Sequence, residues 1–194
     1  MGTKLHKTIN RKLVLKEMTT EYKIDLIDKS LYFTGHINPS SAHDFIIKLH
    51  ELEDFIQGKE DKQVNLYLSS QGGDVASGFR MYESLKFFKG EVICYAEGHV
   101  ASSAVTVMCG ASKVISRPLT TFLIHQITTW LDGKFYDNKA VFTWHEAYQN
   151  IIADIYSKKT NDKVTASMLK EETYLTAEQA RELGLVNEII NYTK

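Results

Sequence analysis

Cysteine, proline and unbalanced charge are all scarce in this chain, and each scarcity removes a class of protein. Only two cysteines, Cys94 and Cys109, occur among 194 residues. Both lie in apolar runs and read as buried free thiols, which favours a reducing compartment over a disulfide-stapled secreted fold. Two prolines, Pro39 and Pro118, leave no proline-rich linker to divide the chain. With 23 basic residues against 24 acidic ones the formal net charge is -1, so no global field favours nucleic acid. No apolar run suits a membrane span. The basic stretch 1–16 lacks the continuous apolar core and cleavage site of a signal peptide. Repeats and low-complexity segments are missing too. The chain is 43% hydrophobic and 24% charged, the balance of a soluble globular protein with a substantial core.

Residues 1–20 are lysine-rich and weakly patterned, and read as an N-terminal arm; residues 21–194 read as one domain. Short strands are expected over 22–28 and 30–35. Ser40 or Ser41 is placed to cap a helix, with Asp44 three residues after Ser41. Ala42, Phe45, Ile46, Leu49, Leu52 and Ile56 supply its stripe, and Gly58 closes it. A strand over 64–68 runs straight into Ser69-Ser70-Gln71-Gly72-Gly73-Asp74. Val75, Phe79, Tyr82 and Leu85 then show helical spacing. The glycine pair admits positive φ and bares backbone N–H groups, although a tight connection capped by Asp74 explains it as simply.

Strands are expected over 92–96, 113–116 and 121–124, with Arg117-Pro118 turning between the last two, and an extended loop or hairpin over 126–136. A long helix is expected over 137–160, with Val141, Trp144, Tyr148, Ile151, Ile152 and Ile155 on one face, and a shorter helix over 163–170. An extended stretch at 171–175 follows. The spacing of Thr176 and Gln179 is that of a capping box opening a helix that ends at Gly184, and 185–190 reads as a strand. Strands alternating with helices argue an α/β fold.

One stretch organises the rest. After the strand at 92–96, Gly98-His99-Val100-Ala101-Ser102-Ser103 leads into an apolar helix ending near Gly110. A serine at a helix entrance is most simply a cap. With a base in reach it is a nucleophile. His125 ends the strand at 121–124, where an imidazole faces a cleft or packs as an ordinary histidine. Ser102 as nucleophile, His125 as general base, and the Gly72-Gly73 turn with the Ser103 N–H as oxyanion donors together describe acyl transfer. A third group, usually a carboxylate, is needed to fix the imidazole.

These motifs resemble those of the Clp protease proteolytic subunit, within the wider crotonase-like superfamily, over residues 24–190. The strand, glycine pair and helix stand as Leu66-Tyr67-Leu68-Ser69-Ser70-Gln71-Gly72-Gly73-Asp74-Val75. The nucleophile turn stands as Gly98-His99-Val100-Ala101-Ser102, and the histidine motif as Leu123-Ile124-His125-Gln126, seven residues after Pro118. The family's acid precedes a helix start that here reads Leu175-Thr176-Ala177-Glu178-Gln179-Ala180. Departures are Gln71 where the family usually has proline, Glu172 where it usually has aspartate, and a loop after His125 without the usual proline and glycine. Ser103 competes with Ser102, and the ungapped match back from Pro118 and His125 favours Ser102.

The resemblance implies an α/β, crotonase-like fold of repeated ββα units with a protruding helix–strand handle. It implies catalytic Ser102, His125 and Glu172, an oxyanion hole at Gly73 and Ser103, and substrate contacts at Gly72, Gln126 and Ile127. No metal or other cofactor is implied. Implied partners are polypeptide substrates, copies of the same chain in heptameric rings or stacked pairs of them, and an AAA+ ATPase unfoldase, in the cytoplasm and away from membranes and nucleic acid. Two other readings stand beside this serine endopeptidase: a weak or inactive subunit serving assembly or regulation, and a crotonase-like acyl-CoA enzyme, which leaves the Ser–His pair without a role.

Overall fold

The fold is built on parallel strand pairs joined by helices. A computed structural model describes residues 24–129 and 132–192; the arm expected over 1–20, and Trp130, lie outside them. Among the described residues the strands are β1 (Ile24–Asp25), β2 (Ser30–Ile37), β3 (Gln63–Gly73), β4 (Glu91–Ala101), β5 (Lys113–Ser116), β6 (Thr121–Ile124), β7 (Thr173–Thr176) and β8 (Glu188–Ile189). The α-helices are α1 (Pro39–Ile56), α2 (Val75–Lys86), α3 (Ser103–Cys109), α4 (Phe135–Thr160) and α5 (Ala177–Leu183). The sheet runs β1-β2-β3-β4-β5-β8, with β6 pairing β4 and β7 off this path. β4 forks. Its Ile93–Ala96 half pairs β5 and its His99–Ala101 end pairs β6. The fork carries the chain from the main sheet to the place where α3 begins.

Helix α1 forms because Ala42, Phe45, Leu49, Leu52 and Ile56 recur at helical spacing and are all buried. Its cap is Asn38, not Ser40 or Ser41. Asn38 Oδ1 accepts the N–H groups of Ser40 and Ser41 at 3.0 Å each, and Ser41 Oγ accepts the Asn38 N–H at 3.0 Å. Pro39 occupies the first helical turn, where its missing N–H costs nothing. Asp74 does cap α2, accepting the Ser77 N–H at 2.8 Å. The Thr176–Gln179 capping box is present, and Gly184 ends α5 at φ +88.

Several expected elements are shorter or differently faced. The first strand stops at Asp25, whose carboxylate turns the chain by accepting the N–H groups of Ile27 and Asp28. The helix expected over 163–170 is only a 3₁₀ turn, Met168–Lys170. Asn161 and Asp162 both have positive φ, and Thr160 Oγ1 takes the Val164 N–H, so the chain leaves α4 without regular pairing. The final strand is confined to Glu188–Ile189, and residues 125–129 form no strand. Along α4 the expected apolar stripe divides. Of the stripe, Ile152 and Ile155 are buried, joined by Tyr156 from outside it, while Val141, Trp144 and Ile151 are exposed. Only the C-terminal part of α4 packs on the core; Phe135, Tyr136, Phe142 and Trp144 face outward.

The buried apolar residues form one core that joins the sheet to helices α1–α3, the C-terminal part of α4 and α5. On the other side of the sheet the register aligns Tyr32, Tyr67 and Tyr95, which stack with centroids 4.9 Å apart at each step. Cys94 and Cys109 are free and buried. Burial pushes both thiols up, Cys109 to about 12. No helix among the described residues is long and apolar enough to cross a membrane.

Candidate active site

Ser102 occupies the entrance of α3 yet does not act as a cap. Its side chain makes no capping hydrogen bond, and its backbone is held at φ +57, ψ -131. This left-handed region is costly for a non-glycine residue, typically ~1–3 kcal/mol, and persists where neighbours over-determine it. Here the Ser102 N–H donates to the Leu123 carbonyl at 2.8 Å, and its carbonyl accepts the Val105 N–H at 2.9 Å. Strand β6 therefore grips the turn from one side and α3 from the other. Ser103 resolves differently: it is buried, and its hydroxyl donates to the Gly73 carbonyl at 3.2 Å.

Each glycine of the pair is required by a different close approach, Gly72 to the Ser102 turn and Gly73 to β2. Gly72 has φ +86, and a Cβ on it would lie 2.5 Å from the Ala101 carbonyl oxygen and 2.7 Å from Ser102 Cβ. Gly73 has φ +145, and a Cβ there would lie 2.1 Å from the Ile37 carbonyl oxygen. The end of β3 is thus pressed between the Ser102 turn, at Gly72, and β2, at Gly73, with no room for a side chain on either.

A cleft of about 270 Å³ opens at this junction. Ser102, Ser103, Gly73, His125, Gln126 and Ile127 all line it. Gly72 lies just behind, against Ser102. The Ile127 N–H donates to Gln149 Oε1 of α4 at 2.8 Å, which ties the segment after His125 to that helix. Glu172 does not line the cleft. It is exposed, and its carboxylate accepts the Tyr174 hydroxyl at 3.0 Å, a bond that pushes the Tyr174 pKa up. The antiparallel β6–β7 register nevertheless ends at Ile124 opposite Thr173. His125 and Glu172 each adjoin this last pair, just outside the strands.

Further residues of the cleft escaped the sequence reading, His36, Thr106, Thr128 and Tyr156, and Gln71, noted there only as a departure, lines it too. His36 arrives through register alone, paired with Gly72 across β2 and β3. Tyr156 was legible in principle, because Gln149, Ile152 and Tyr156 recur at i, i+3 and i+7 on α4 and share a face.

Fold and cleft together define an α/β protein with a serine and a histidine converging on one cavity beside a strained turn. The chain belongs to the Clp protease family, whose model matches residues 16–193. It is similar to the ATP-dependent Clp protease proteolytic subunit 2 of Pseudomonas aeruginosa, 28% identical over 195 residues, 97% of this chain and 90% of that protein. It is similar also to the ATP-dependent Clp protease proteolytic subunit 1 of Thermobifida fusca, 27% identical over 186 residues, 93% of this chain and 82% of that protein. The family and these relatives support a peptidase.

Proposed function

We propose that the chain is a serine endopeptidase subunit that works inside a closed oligomer. The observation that carries this reading is Ser102, held in a left-handed turn with no capping bond, on the same cleft as His125. In this mechanism Ser102 Oγ attacks the peptide carbonyl and gives its proton to His125. The N–H groups of Gly73 and Ser103 receive the oxyanion. The C–N bond breaks as the imidazole returns the proton to the leaving amine. Water, deprotonated by His125, then hydrolyses the ester and frees Ser102. Glu172 orients the imidazole by turning from Tyr174 to the ring N–H of His125, both residues adjoining the last β6–β7 pair, Ile124 and Thr173. The substrate chain lies extended along Gly72, Gln126 and Ile127.

The outward aromatics of α4 support subunit contacts, and the assembly proposed is heptameric rings stacked in pairs around a chamber. An AAA+ ATPase unfoldase delivers folded substrates to it in the cytoplasm, in keeping with the ATP-dependent names of the two relatives. The Glu172–Tyr174 bond favours one second reading, a subunit without activity that serves assembly. Hydrolysis of a fluorogenic peptide, followed by mass-spectrometric mapping of a fluorophosphonate adduct, separates the two. Active protein is expected to carry the adduct on Ser102. Ser102→Ala is expected to lower hydrolysis on the order of 10⁴-fold, and Ser103→Ala, which keeps its backbone N–H, to retain most activity. An adduct on Ser103 overturns the assignment, and an unlabelled, inactive protein leaves the second reading.

A further inference from the structure

The strained conformation of Ser102 is gripped by one group that the catalytic reading leaves unused. Tyr156, on the buried part of α4, is 2% exposed. A tyrosine buried to this degree needs a partner for its hydroxyl, and two are at hand. Tyr156 Oη lies 3.1 Å from Thr106 Oγ1, and it donates to the Ser102 carbonyl at 3.4 Å. Thr106 lies one turn beyond Ser102 on α3, is itself 2% exposed, and lines the same cleft. Three oxygens from two elements thus meet beneath the serine: the Ser102 carbonyl, the Thr106 hydroxyl and the Tyr156 phenol.

We infer that Tyr156 is a positioning residue, whose hydroxyl, with Thr106, holds the Ser102 turn from below and so sets the aim of Ser102 Oγ. This inference rests on the serine-peptidase reading of the site. Its physical content is a division of labour around a residue at φ +57. Strand β6 holds the Ser102 N–H through Leu123. On the carbonyl side, the Val105 N–H is local to α3, so it moves with that helix. The Tyr156 hydroxyl is the only one of these contacts that anchors the carbonyl to a different element. Removing it leaves the Ser102 carbonyl held from within α3 alone, by the Val105 N–H. Burial raises the Tyr156 pKa, so the phenol keeps its proton and remains a donor at neutral pH.

Tyr156→Phe deletes a single oxygen and keeps the ring that fills the core. A neutral hydrogen bond of this kind is worth ~0.5–1.5 kcal/mol, or about two- to tenfold in rate. The expected result is a fall in kcat of about three- to tenfold with KM within about twofold, matched by an equal fall in the rate of Ser102 labelling by a small fluorophosphonate. That reagent fills few peptide subsites, so a merely structural pocket wall does not move its rate. Thr106→Val is expected to lower the same two rates and Thr106→Ser to restore them. This second pair carries the test should the Phe variant fold poorly. The double variant is expected to lose less than the two single losses combined, because both act through one carbonyl. Labelling and kcat unchanged in both Tyr156→Phe and Thr106→Val overturn the inference, as does an effect confined to KM. Wild-type protein that hydrolyses peptides but is not labelled at Ser102 removes the serine-peptidase reading itself, and this inference with it.

Discussion

Gly72→Ala isolates the close approach on which the Ser102 turn depends. Alanine at this position meets two penalties. The first is conformational: φ is +86, and an L-residue in left-handed backbone costs roughly 1–2 kcal/mol. The second is steric: the new Cβ would lie 2.5 Å from the Ala101 carbonyl oxygen, 2.7 Å from Ser102 Cβ and 3.0 Å from the Ser103 nitrogen. Against an ordinary contact of about 3.5 Å, the turn must retreat by up to ~1 Å. A 1 Å displacement of a reacting group costs ~10²-fold in rate, equivalent to about 2.7 kcal/mol. Gly58→Ala supplies the control. Its φ is +76, close to that of Gly72, yet a Cβ there meets nothing within 4 Å. Both variants carry the backbone strain, at roughly 2–4 °C of Tm per kcal/mol for a domain of this size. Only Gly72→Ala displaces Ser102. The assay is the rate of fluorophosphonate labelling together with peptide kcat, measured on both variants below their melting temperatures. The expected result is a Gly58→Ala protein with near wild-type rates and a Gly72→Ala protein about 10²-fold slower. A Gly72→Ala protein that melts no lower than Gly58→Ala and reacts as fast refutes the reasoning.

Glu172→Gln is expected to lower kcat by about 10²-fold or more with little change in KM, while Tyr174→Phe, which frees the carboxylate, leaves kcat at least at its wild-type value; unchanged kinetics in Glu172→Gln assign the imidazole's partner elsewhere. Cys94 and Cys109 are expected to resist a thiol reagent at pH 8, because burial holds both thiols protonated with Cys109 pushed up to about 12; rapid modification of the folded protein contradicts their burial. Fourteen copies of the 22.1 kDa chain, about 309 kDa, are expected in analytical ultracentrifugation of the active protein. A 22 kDa monomer that still cleaves peptides removes the chamber and leaves the catalytic assignment standing.

Much of this was legible locally, because it depends on neighbours in sequence. The stripe of α1, the Asp74 cap and the Thr176–Gln179 box follow from spacings of three or four residues, which a helix turns into one face or one closed hydrogen-bond pair. The candidacy of Ser102 and His125 was likewise readable, since a serine at a helix entrance and a histidine at a strand end are local facts; that both line one cleft is what the structure adds. The cap of α1 was misplaced by two or three residues because Asn38 and Ser41 are equally plausible in composition, and only the backbone around Pro39 decides between them.

What tertiary structure alone decided is the meeting of distant segments. Tyr32, Tyr67 and Tyr95 stack because the β2–β3–β4 register aligns them, and a slip of one residue would send each to the opposite face. The same kind of register brings His36 beside Gly72 and ends the β6–β7 ladder at Ile124 and Thr173, the residues that adjoin His125 and Glu172. The left-handed strain at Ser102 is invisible in composition, because serine has no local preference for φ +57. Leu123 and Tyr156, brought from a strand and a distant helix, hold its N–H and its carbonyl, with the local Val105 N–H beside Tyr156 on the carbonyl. Periodicity reports which side chains share a face; it carries no information about which carbonyl a distant hydroxyl will reach once the core has closed.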